Sequence, residues 1–173
     1  MQVQTSHPIV DAVLEQYRGE IGDDLPVYRN HVLRALNYQQ LLLGEPVPEV
    51  AALAWAVHDL GVWTAGTWDY LEPSADLVAV HAAEFGIEDV DAARRLVLDH
   101  HRLRSVGDRL IETFRLADRL DASRGLLRAT VTCAEVKAVV AQLPYLGFHA
   151  FLARRGTAWA IAHPTRPLPM MRW

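Results

Sequence analysis

Apolar positions recur at three- and four-residue spacing along most of this chain, and no stretch alternates apolar with polar residues as a half-buried strand would. Residues 7–21, HPIVDAVLEQYRGEI, predict a first short helix with Pro8 in its first turn. GDDLP reads as a loop. Residues 26–44 follow with Val27, His31, Leu33, Leu36 and Leu41 to Leu43 on a helical repeat that Gly44 ends. After EPVP comes an almost unbroken apolar run, AALAWAVHDLGVW, which predicts a buried helix stopping near Gly61. GVWTAGTWDYLEPS reads as a rigid aromatic loop, and Ser74 as the cap of a helix over 75–86. Two amphipathic helices are expected over 88–104 and 108–127. Beyond Arg128 the pattern weakens to a helix around 133–143, another over 147–163, and a Pro-rich end, HPTRPLPMMRW. The predicted class is all-α, a helical bundle forming one domain over 1–173, with a core of about 25–125 and an extension over 126–173.

The polar residues that interrupt these apolar faces form a series: His31, His58-Asp59, His81, His100-His101 and Asp118. Successive separations are 27, 23, 19 and 18 residues, each about one helix plus its connection. Each helix of an antiparallel bundle would then present a ligand at one level, which is how bundle cores commonly build metal sites. A buried carboxylate such as Asp59 demands a partner or a metal in any case. Imidazoles with carboxylates suit Fe, Mn, Co, Ni or Zn, with Mg also compatible with a hydrolytic site, at one or two divalent ions per chain.

Composition narrows the classes. The 173 residues are 51% hydrophobic and 22% charged, with a formal charge of −4, which gives no reason to expect a nucleic-acid polymer as partner. Of the 17 basic residues only Lys137 is lysine. Cys133 is the single cysteine, which excludes a thiolate metal site and an internal disulfide and fits a cytoplasmic setting. The first sixteen residues show no basic leader before an apolar core, and no run of about 18 apolar residues suggests a membrane span.

The order H…HD…H…HH…D, together with AALAWAVHDLG and FRLADRLDAS, resembles the HD-domain superfamily of metal-dependent phosphohydrolases over roughly residues 25–125. The resemblance implies an HD-domain bundle in which His31, His58, Asp59 and Asp118 bind a first metal ion. It implies that Asp59 bridges to a second ion completed by His81 and His100, with His101 reaching that ion or the substrate. The end of the chain, GFHAFL…PLPMMRW, looks like the tail of an uncharacterised HD-domain group. Two departures stand out. HD-domain 5′-nucleotidases carry an acid, and HD-GYP cyclic-dinucleotide phosphodiesterases a lysine, where this chain has Val62. The GYP motif is missing, and Val27 stands where that group has a glutamate before the first histidine.

The expected activity is hydrolysis of a small phosphorylated compound, a nucleotide among them, by a metal-activated water. Arg102, Arg104 and Arg119 are the expected phosphate contacts, since arginine's fork matches phosphate oxygens. Trp68 and Tyr70 are expected to stack on or enclose the substrate, and Asp69 and Glu72 are spare acids for general-base or binding work. Asp59 and His101 complete the expected catalytic set. Alternative readings keep the ligands but change the chemistry. They are a di-iron oxygenase cleaving phosphonates or polyols, a small-molecule hydratase or lyase, and a regulatory module with a structural metal. The aromatic tail is expected to pack on its own bundle or on the second subunit of a homodimer.

Overall fold

The computed structural model describes residues 2–171, and no strand occurs among them. The first predicted helix is broken in two, α1 (Pro8–Gln16) and α2 (Arg18–Ile21), because Tyr17 leaves helical geometry between them. GDDLP is not an open loop. Gly22–Asp24 forms a 3-10 turn that runs directly into α3 (Leu25–Leu43), which a left-handed Gly44 terminates at φ 73°. The remaining elements are α4 (Glu49–Val57), α5 (Gly61–Thr64), α6 (Leu71–His81), α7 (Val90–Asp99), α8 (Arg109–Ala122), α9 (Cys133–Gln142) and α10 (Phe148–Ala162). No helix among the described residues is long and apolar enough to cross a membrane.

α4 is apolar on every side because it is covered on every side. Ala51 through Val57 are all fully buried, against α1, α3, α6 and α7. α3 lies along α8 and carries polar groups into the interior, of which Asn37, Gln39 and Arg34 are satisfied there. Asn37 donates to the Gln4 carbonyl and so ties down the chain before α1. Gln39 accepts from the Trp55 indole at 2.6 Å. Arg34 is locked on Asp121 of α8. Side-chain caps start α7 (Asp89), α8 (Asp108) and α9 (Thr132, in a capping box with Glu135).

The apolar residues form two clusters. The larger runs from Val3 to Leu143 and holds α1, α3, α4, α7, α8 and α9 together. The smaller joins Val62, Trp68, Tyr70 and Leu71 to Phe151 of α10 and Met170 of the tail. The tail therefore packs on its own chain, with Arg166 paired to Asp69 at 2.8 Å and its carbonyl accepting from Trp159.

The segment after the His-Asp doublet differs most from expectation. α4 ends at Val57, ahead of the doublet, and α5 occupies the start of the supposed aromatic loop. Ser74 is not a cap but an interior residue of α6, which begins at Leu71, and its hydroxyl accepts from the Gly61 N–H at 2.9 Å. That bond needs close approach of α5 and α6, and glycine provides it. A Cβ at Gly61 would lie 2.7 Å from the Tyr70 carbonyl oxygen and 3.0 Å from Ser74 Oγ. The other two amphipathic helices also stop early, at Asp99 and Ala122. Gly61→Ala should therefore destabilise the protein by about 1–3 kcal/mol, read as a lower urea midpoint at unchanged slope.

Candidate metal centre

Two helix ends deliver the central imidazoles. His58 is the C-cap of α4 and His100 the C-cap of α7. Each Nδ1–H donates back to a carbonyl of its own helix: His58 to Trp55 at 2.9 Å, His100 to Val97 at 2.6 Å. A carbonyl only accepts, so in both rings Nδ1 carries the proton and Nε2 presents a lone pair. His31 reaches the same state by another route, its Nδ1 lying 2.8 Å from Oδ2 of Asp121. Asp121 is ionised. Burial raises its pKa, but hydrogen bonds from His31 and Arg34 outweigh this and hold it below the usual carboxylate value. Backbone carbonyls or a carboxylate on the far ring nitrogen are what orient histidines as metal ligands.

The three lone pairs converge on two carboxylates. His31 Nε2 and His58 Nε2 are 3.1 Å apart with no proton between them, a repulsive contact unless a cation lies there. Asp59 Oδ2 is 3.7 Å from His31 Nε2 and 3.3 Å from His58 Nε2, and Asp118 Oδ1 is 3.5 and 3.9 Å from the same two atoms. Ligands about 2.1 Å from one ion stand about 3.0–3.5 Å apart, and the separations here, 3.1–3.9 Å, are at or a few tenths of an ångström beyond that spacing. The other oxygens face a second group. Asp59 Oδ1 is 3.6 Å from His100 Nε2, and Asp118 Oδ2 is 3.8 Å from His101 Nδ1. Two of these buried atoms, Asp59 Oδ1 and His100 Nε2, have no hydrogen-bond partner. His31, His58 and Asp118, then His58, Asp59 and His100, then His100, His101 and Asp118 each offer three donor atoms within 4.8 Å of one another.

Burial and neighbouring charges set the protonation of the cluster. Burial pushes Asp118 up to about 7, and the nearby Asp59 carboxylate adds to it. Desolvation lowers His31 and, further, His101, which favours neutral imidazoles. The negative ends of α4 and α7 meet here as well, an arrangement that favours a cation.

Other expected residues fall elsewhere. His81 is far from the cluster: its Nε2 lies 2.9 Å from the Tyr17 hydroxyl and its Nδ1 3.4 Å from Glu84. α6 starts beside the centre, where Tyr70 touches His101, and ten further residues carry it about 15 Å away. Asp69 pairs with Arg166 on the surface, and Glu72 is exposed, 3.9 Å from Arg94. Arg119 donates to the Arg102 carbonyl at 3.0 Å, as Arg115 does at 3.2 Å, so both pin the turn that follows His100-His101. The Arg102 side chain is 3.3 Å from Asp99, and Arg104 is exposed. Trp68 and Tyr70 are both buried, with the Tyr70 hydroxyl 2.7 Å from His101 Nε2.

Sequence reasoning missed the supporting residues. Asp121 and Arg34 sit three positions after Asp118 and His31, and that i,i+3 spacing on two facing helices was the available signal. Tyr28, three residues before His31, donates to the Ala56 carbonyl and accepts from the Asp59 N–H. Phe148 of α10 stacks on the His31 ring at 4.2 Å.

No protein-family model, curated protein or solved structure matches this chain. Ion binding therefore tests the geometry directly. His58→Ala and Asp118→Ala should abolish high-affinity Zn²⁺ binding in a competition titration with a chromophoric chelator. Asp121→Asn should weaken it about 10–100-fold, and His81→Ala should leave it unchanged.

Proposed function

We propose that this chain is a metal-dependent hydrolase of the HD-domain type, acting on a small molecule. The observation that carries this reading is the set of imidazole lone pairs and carboxylate oxygens turned toward one another in the interior, with Asp59 Oδ1 and His100 Nε2 left unsatisfied. Buried polar atoms are almost always satisfied, so orphans grouped with other donors signal an ion. His31, His58, Asp59 and Asp118 would hold one divalent ion, and His100 and His101 a second, with both aspartates contributing to each. When bound, such ions draw the pKa of a coordinated water toward neutrality and neutralise charge developing on a substrate.

The chain's own groups supply the rest. Asp121 and the Trp55 and Val97 carbonyls keep three imidazoles in the tautomer that offers Nε2. The Tyr70 hydroxyl, 2.7 Å from His101 Nε2, holds that ring so that Nδ1 faces Asp118. Phe148 and Phe151 of α10, with Trp63, cover the centre and exclude water. Arg102, Arg104 and Arg119 do not line the cavity that reaches Asp59, so the hydrolase assignment does not rest on them.

Elemental mass spectrometry on protein purified without added metal or chelator is the test. One or two equivalents of Mn, Co, Ni, Zn or Mg per chain are expected, lost in His58→Ala. Ion added at a hundred times its dissociation constant should stabilise the chelated protein by about 2.7 kcal/mol. Two irons would instead favour oxygenase chemistry, and no metal, with none taken up on titration, would end the proposal.

A further inference from the structure

The candidate ligands are almost closed off from solvent. His31, His58 and His100 expose no side-chain surface, and Asp118 and Asp59 expose 7% and 12% of theirs. The cavity beside Asp59 holds about 10 Å³, room for about one water. Through it, nothing larger than a water or a bare ion reaches the carboxylate in this conformation.

One wall of that cavity is α10. Phe148, its first residue, stacks on the His31 ring at 4.2 Å, and Phe151 stacks on Trp63 at 5.4 Å. With Leu152 they face a lining that comes from α3 and from the segment between Asp59 and Tyr70. α10 itself is lightly seated. Of its fifteen residues Phe148 and Phe151 are the buried ones, whereas α4 is buried from Ala51 to Val57. Leu152 and Trp159 add partly buried contact, and where Trp68 lies against the helix Gly156 has no side chain to interlock with it. Among the described residues, its polar ties to the bundle are the His149 ring, 3.0 Å from the Asp121 carbonyl, and, through the tail, Arg166 on Asp69. The second of these is open to water on both sides and so holds weakly.

The chain just before α10 combines an anchor with a turning point. Arg34 and Asn30 both donate to the Pro144 carbonyl, at 3.1 and 2.9 Å, which pins that residue to α3. Leu146 (φ 49°) and Gly147 (φ 87°) follow, both left-handed and both exposed. Leucine is strained in that region and glycine is not.

We propose that α10 and the tail form a lid over the candidate metal centre, turning at Leu146-Gly147 and opening the way to Asp59. The proposal rests on the metal-centre reading and concerns how that centre is reached. Opening lifts Phe148 from His31 and Phe151 from Trp63, and it breaks the His149 and Arg166 contacts. The ligands stay in place. His31, His58 and His100 are oriented by Asp121 and by the Trp55 and Val97 carbonyls, none of which belongs to the lid.

The test is hydrogen–deuterium exchange of the full chain, beside the rate at which excess EDTA removes bound Zn²⁺. Local opening costs less than global unfolding, so amides of α10 should exchange at least about a hundred-fold faster than those of α4 and α8. Gly147→Ala is the informative variant. A Cβ there meets nothing within 4 Å, but the closed lid then holds an alanine at φ 87°. Exchange in α10 and removal of Zn²⁺ should both rise about ten-fold, with α4 and α8 unchanged. The lid is overturned, and the metal centre left standing, if α10 exchanges no faster than α4 and α8 or if Gly147→Ala speeds all three together. Zn²⁺ removal unmoved by Gly147→Ala overturns it too, and points to an exit beside His101, whose side chain is 22% exposed. No Zn²⁺ bound at all ends both readings.

Discussion

Asp121 is a carboxylate with no exposed surface, and it is held from two sides. Arg34 forms a fork to both of its oxygens at 2.7 and 2.8 Å, while His31 Nδ1 lies 2.8 Å from one of them. A buried charge with this many partners is tolerable, and with one partner removed it is costly by about 3–5 kcal/mol. Three consequences follow from the one contact. It fixes the register of α3 against α8, which places Asp118 opposite His31. It sets the His31 tautomer, so that a lone pair faces the cluster. Because the Arg34 guanidinium also donates to the Leu143 and Pro144 carbonyls, it anchors the chain where α9 gives way to α10.

The centre is built on the ends of helices as much as on their faces. His58 and His100 both stand where a helix stops, and each uses its own last turn as hydrogen-bond acceptor. This explains why an apolar helix such as α4 finishes on an imidazole and a carboxylate. The helix is core from Ala51 to Val57, and the functional pair begins where helical hydrogen bonding gives out. Gly61 then permits the tight return that brings α6 alongside, and Tyr70 with it.

Much of this was legible in the chain. Imidazoles and carboxylates interrupting apolar repeats singled out His31, His58, Asp59, His100, His101 and Asp118, and the structure brings all six together. The regular spacing misled at His81, because counting helices does not say which end of a helix meets the site. α6 opens four residues earlier than the Ser74 signal suggested, and its last residue is carried away from the centre. Arg34 and Asp121 escaped notice because such residues usually lie on surfaces, and only their pairing across α3 and α8 distinguishes them. The reach of the arginines was overestimated for a related reason. Arg119 is next to Asp118 in sequence, but neighbouring helix positions diverge by about 100°, and its guanidinium serves a backbone carbonyl.

Leu146 and Gly147 both adopt left-handed backbone conformations, at φ 49° and 87°, just before α10. The larger hydrophobic cluster has closed by Leu143, and what lies beyond the bend contributes to the smaller one. The molecule is thereby divided into a bundle that carries the buried His/Asp cluster and a C-terminal segment packed against it. Substitutions at Phe151 or Met170 therefore reach the smaller cluster without meeting an imidazole of the centre, whereas Phe148 lies directly on the His31 ring.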